Sequence, residues 1–197
     1  MLSERLQLKL FLEPSAHFEL EALIPVFHRF IRDQVIKELM IDVVDYSHVP
    51  NGPGVVLIGH SADYYVGALD GAYGLVYSLK RGAPDADARL EDSLRRVVNV
   101  ARLLEQESGL NLRFKSGELS LRLTDRLHAP NDDASFASAK AEVESLFGRV
   151  YGGTVLVQRL PEARGPLGLG IKAGTSPALE ALLERLGGPP APFSKPN

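Results

Sequence analysis

Leu6-Gln7-Leu8-Lys9-Leu10 and, 113 positions further on, Leu119-Ser120-Leu121-Arg122-Leu123 are the two stretches on which the fold turns. In each, leucine alternates with a polar residue, the period of two that belongs to a strand with one buried face. The chain beyond each stretch is also alike. After the first, Leu23, Ile24, Phe27, Phe30 and Ile31 recur at helical spacing, which predicts a helix over about 20–35 with Pro25 tolerated in its first turn. After the second, Phe136, Ala139, Val143, Leu146, Phe147 and Val150 make a second helical stripe, with Asn131 or Asp132 as its cap.

Further strands are predicted at Met40–Tyr46, Val55–Gly59 and Tyr73–Leu79 in the first part, and at Val155–Val157 and Leu167–Ile171 in the second. Leu90, Leu94, Val97, Val98, Ala101 and Leu104 mark an amphipathic helix with acidic Asp85, Asp87 and Glu91 near its start. Ser176-Pro177 opens a short helix carrying Leu179, Leu182, Leu183 and Leu186. Leu112 and Phe114, passing through Ser116-Gly117 into the second leucine stretch, read as a hairpin.

The order strand, helix, strand, loop, strand, helix thus occurs twice, and Gly52-Pro53 falls against Gly165-Pro166 at the same offset of 113. The expectation is an α+β protein with antiparallel or mixed sheets and helices packed on one face. It comprises two similar halves, 1–110 and 111–187, related by an internal repeat, and a mobile Pro-rich tail over 188–197. The alternative is one mixed sheet without a repeat.

Composition narrows the function. Hydrophobic residues make up 45% and charged residues 24%, a globular balance. A net charge of -3 supplies no positive field for nucleic acid. There is no cysteine, so disulfides, thiolate metal sites and thiol nucleophiles are excluded, and a metal would have to be held by His, Asp or Glu. No stretch approaches the ~20 apolar residues that span a bilayer, and the start of the chain lacks a signal-type apolar core. A soluble, cytoplasmic protein is expected.

The densest polar and aromatic cluster runs from Asp45 to Tyr65 and contains His48, Asn51, His60, Asp63 and Tyr64. The stretch from His48 to Tyr64 resembles a segment of an uncharacterised bacterial protein family. That resemblance extends over about the first 80 residues and carries no catalytic role to any of them. Asn51-Gly52-Pro53-Gly54 combines glycine freedom with proline stiffness and reads as a β-turn able to present amides; it precedes a strand, so it is not a phosphate-binding fingerprint. His60 and Asp63, three apart, suit a metal or a carboxylate-oriented histidine, but without a third ligand a polar turn is the plainer reading. Ser61 beside His60 lacks the Gly-x-Ser-x-Gly elbow. Arg95, Arg96, Arg102 and Arg113, spaced with Glu91, Asp92, Glu105 and Glu107, read as a solvated mixed-charge face. His17, His28 and His128 stand alone.

The preferred reading is a non-enzymatic binding protein acting through homodimer formation or partner docking at a sheet edge or helix face, with no cofactor. The alternative is a small-molecule-binding protein or enzyme with a cleft between the halves lined by His48, Asn51, His60, Asp63 and Tyr64.

Overall fold

The computed structural model describes residues 3–14, 18–68, 71–81, 88–161 and 165–191. Eight strands form one antiparallel sheet: β1 (Leu6–Leu12), β2 (Met40–Tyr46), β3 (Gly54–Gly59), β4 (Ala62–Gly67), β5 (Gly74–Leu79), β6 (Phe114–Leu123), β7 (Val155–Arg159) and β8 (Leu167–Ala173). Their spatial order is β2-β3-β4-β5-β1-β6-β8-β7. The α-helices are α1 (Leu23–Arg32), entered through a 3-10 turn at Leu20–Ala22, α2 (Arg89–Glu105), α3 (Asp133–Tyr151) and α4 (Leu179–Arg185). The α+β class is met in its antiparallel form, with a single sheet.

The two leucine stretches pair with each other at its centre. Leu6 lies opposite Leu123, Leu8 opposite Leu121 and Leu10 opposite Leu119. All six are buried, each contributing on the order of 2 kcal/mol of apolar burial. First-half strands lie on one side of this seam and second-half strands on the other. A row of inward side chains crosses the sheet through the seam: Leu57, Tyr64, Tyr77, Leu8, Leu121, Leu169. Over this face α1 covers β2, α2 covers β1 and β5 beside α4, and α3 covers β7 and β8. On the opposite face Val56, Tyr65 and Val76 form a separate small cluster with Ile58 and no helix residue.

Local chemistry explains the element ends. The Asp132 carboxylate accepts the Ser135 N–H at 2.8 Å to cap α3, which stops at Gly152 in the left-handed region (φ 73°). Asp85, Asp87, His17 and the tail from 192 onward lie outside the described residues.

Three sequence readings are corrected. Ala62–Gly67 is a full strand, β4, not a polar turn: Asp63 and Tyr65 face one side while Tyr64 and Val66 face the core. Residues 112–123 make no hairpin, since β6 runs unbroken through Gly117. That glycine serves close approach; a Cβ there would stand 2.6 Å from Ser176 Oγ. The Gly52-Pro53 and Gly165-Pro166 loops are not spatial equivalents. The second leads into β8, which adjoins β6, whereas β1 is adjoined by β5, with β3 two strands further out.

Candidate functional site

The structure divides the sequence-predicted residues between the two ends of a hairpin. His48 and Asn51 are exposed in the turn joining β2 to β3, Asn51 in the left-handed region at φ 56°. The Gly52 amide donates to Val49 O at 2.9 Å, so it is spent within the turn. His60 is exposed at the opposite end, between β3 and β4; the intervening six-residue strand spans roughly 20 Å at 3.3 Å per residue. Asp63 accepts from Lys80 Nζ at 2.7 Å and from the Gly59 N–H at 3.2 Å. His48 and Asn51 are therefore not brought together with His60 and Asp63, and Tyr64 points through the sheet to the other face. Among the described residues no group of three His, Asp or Glu could hold a metal ion.

Tyr64 leads to the site that sequence reasoning missed. Under α2, its phenol O–H donates to Glu38 Oε1, Glu38 being in the connection between α1 and β2. Arg96 Nη1 lies 3.1 Å from the same oxygen, and Arg96 Nε donates to Asp92 Oδ2 at 2.6 Å. Tyr77, the cross-strand neighbour of Tyr64, completes the cluster with its ring centroid 5.1 Å from that of Tyr64. The side chains of Glu38 and Arg96 are 1% and 3% exposed. Burial pushes the Glu38 carboxyl above its ordinary range, against the lowering pull of Arg96 and the Tyr64 hydrogen bond. It also pushes both tyrosines up. Asp92 is shared in turn, its other oxygen lying 3.8 Å from Arg95 Nη1, so two carboxylates and two guanidinium groups adjoin on this side of α2. Glu38 Oε2 and Tyr77 Oη are buried with no hydrogen-bond partner among the described residues.

This overturns the reading of Arg96 and Asp92 as part of a solvated face. Helix α2 is buried on nearly every side, Ser93, Asn99 and Val100 included. The available signal was Ser93, Val97, Val98, Val100 and Ala101 wrapping around the helix, leaving too narrow a polar strip for two exposed arginine rows. Glu38 also borders a cavity of about 470 Å³, lined besides by Phe30, Ile31, Ile36, Leu39 and Met40.

The two sheet edges differ. On β2, exposed Asp42 and Asp45 lie within the strand, Asp42 Oδ1 accepts the Val43 N–H at 2.8 Å, and the register breaks between Met40 and Asp42. On β7, Gly174 N bonds Thr154 O and Leu160 N bonds Gly168 O. Antiparallel alternation then turns the N–H and C=O groups of Val155, Val157 and Arg159 toward the open side. Leu156 on this strand is 55% exposed. No protein-family model and no curated protein matches this chain.

Proposed function

We propose that the protein is a non-enzymatic interaction protein that pairs with a second copy of itself through β7. The observation that carries this is the contrast between the edges. Natural sheets blunt their edges with charge, bulges and short strands. The β2 edge has two carboxylates, a register break and a side chain already on one of its amides, and two copies meeting there would bring four carboxylates to one seam. The β7 edge, Val155-Leu156-Val157-Gln158-Arg159, has no acidic residue and no proline. Antiparallel pairing about Val157 sets Leu156 against the partner's Gln158 and Arg159 against the partner's Val155, so no like charges oppose each other. The outward backbone groups on both copies then bond one another.

Sedimentation equilibrium on the full chain tests this. The expected mass is twice 21.5 kDa, falling to the single-chain mass in the Leu156→Lys, Gln158→Lys double variant, which sets lysine against lysine. A monomer at about 100 μM, far above the Kd of specific interfaces, or a dimer indifferent to both lysines, defeats the proposal.

The repeat expected from the sequence remains a proposal on its own support. Leu8 faces Leu121, 113 positions later, at the centre of the sheet, and the extra β2–β3 hairpin of the first half is the insertion such a duplication requires.

A further inference from the structure

Helix α3 has two flanks of different character. Toward the centre of the molecule, Arg149 bonds Glu91 of α2 at 2.6 Å. On the opposite flank stand Asp133, Ala137, Lys140 and Glu144, whose steps of four, three and four residues keep them in one row along the helix. Asp133 meets Arg159 of the edge strand β7 at 2.7 Å, so this row lies on the open side, above the sheet edge. Lys140 and Glu144 form an i,i+4 pair at 3.7 Å, with side chains 41% and 44% exposed.

Two anchors fix how α3 lies along β7. The short turn at 152–154 joins Tyr151 to Val155, and the ion pair ties Asp133 to Arg159 at the other end. The two elements run in opposite directions, so Val157, the midpoint of the strand, lies beside Glu142, the midpoint of the helix. An antiparallel pair of identical strands has its two-fold axis normal to the sheet, which leaves the helices of both copies on one face. Pairing of β7 about Val157 therefore sets the two α3 helices antiparallel about position 142. Lys140 then stands opposite the partner's Glu144, and Glu144 opposite the partner's Lys140. The spacing agrees. Because α3 lies over both β7 and β8 and strands are ~4.8 Å apart, its axis is about 5 Å from the two-fold and about 10 Å from its copy. Packed helices sit about 8–10 Å apart.

We infer that the interface has a second layer, in which α3 packs on α3 of the second copy and reciprocal Lys140–Glu144 ion pairs cross the two-fold axis. This rests on the β7 pairing proposed above and names what makes it selective. Backbone hydrogen bonds are available to any strand that reaches an open edge, and they do not distinguish one partner from another. The charged row does: it is complementary to itself only when antiparallel about position 142, which picks out a second copy of this chain in a single register. In the dimer the two lysines and two glutamates alternate, so each carboxylate lies between its own lysine and the partner's.

Two single variants of the full chain, mixed, test this. Lys140→Glu sets acid against acid twice in its homodimer, and Glu144→Lys sets base against base twice. A dimer of one variant with the other restores both pairs across the axis. Each chain carries its own internal like-charge pair in every dimer, so that cost cancels from the comparison. One variant is ¹⁵N-labelled, the two are mixed in equal amounts, and native mass spectrometry counts the dimers. Two repulsive surface contacts should weaken each homodimer about tenfold, leaving about nine dimers in ten mixed, against about one in two for indifferent exchange. Indifferent exchange between variants whose wild-type parent is a dimer overturns the α3 layer and leaves the β7 pairing standing. A wild-type chain that is monomeric at about 100 μM, far above the Kd of specific interfaces, overturns both.

Discussion

Tyr64 and Tyr77 are directly opposed on neighbouring strands, both fully buried, and only Tyr64 has a partner for its hydroxyl among the described residues. Their removal should therefore differ in sign of consequence. Tyr64→Phe strips a donor from the buried Glu38 and is expected to cost about 1–3 kcal/mol. Tyr77→Phe deletes an oxygen that bonds none of the described residues and should be neutral or slightly stabilising. Urea midpoints of the two variants check this, and a larger loss for Tyr77→Phe would show that its hydroxyl has a partner. At this scale the sequence is only partly legible. Tyr64 stands among the candidate residues, but local reading assigns it to a polar turn with His60 and Asp63, because the alternation Asp63-Tyr64-Tyr65 is too short to announce a strand. Glu38 gives no local sign at all. An isolated glutamate in a connection looks solvated until the fold brings an arginine from 58 positions away to meet it.

The elements are easier to read than their surroundings. The stripe of Leu90, Leu94, Val97, Val98, Ala101 and Leu104 identifies α2 almost to its ends, since six apolar residues at helical spacing over four turns admit little else. What periodicity does not disclose is the cover on its other sides, with α4 alongside and the Glu38 connection over Arg96. Placing an unpaired charge on the stripe should show how tightly it is packed. Val97→Asp, at a fully buried position, is expected to cost several kcal/mol, on the order of 4, seen as a large fall in the melting temperature. An unchanged melting temperature would contradict the packing of α2 on β1 and β5. Sequence reading misses the continuity of β6 because a glycine is ambiguous between a turn and a close approach. Gly117 belongs to the strand, and a Cβ there would collide with a neighbour, at 2.6 Å from Ser176 Oγ.

Across the whole molecule, cohesion depends on the β1–β6 seam, where the two halves become one sheet. Leu8 and Leu121 face each other there with no exposed surface. Either one changed to alanine should cost about 2–5 kcal/mol. The double variant should fall short of additivity by about 0.5 kcal/mol or more, as contacting residues do. Strict additivity in a double-mutant cycle would mean that the two halves are not joined through this pair. The seam is half-visible in the sequence: the matching leucine stretches announce two strands of the same design, but not that they pair with each other, because alternation reports which face is buried and is silent about the neighbour.

The central position of β1 also bears on how the chain is made. Leu8 is paired on one side with Tyr77 and on the other with Leu121, so β1, made before the other seven strands of this sheet, is among the last to be completed. At about 5–20 residues per second, its leucine-rich face waits roughly 5–25 s for β6 to be synthesised. The alternating Gln7 and Lys9, which end up on the opposite face of the sheet, are what keep that nascent segment from being apolar on both sides during the interval.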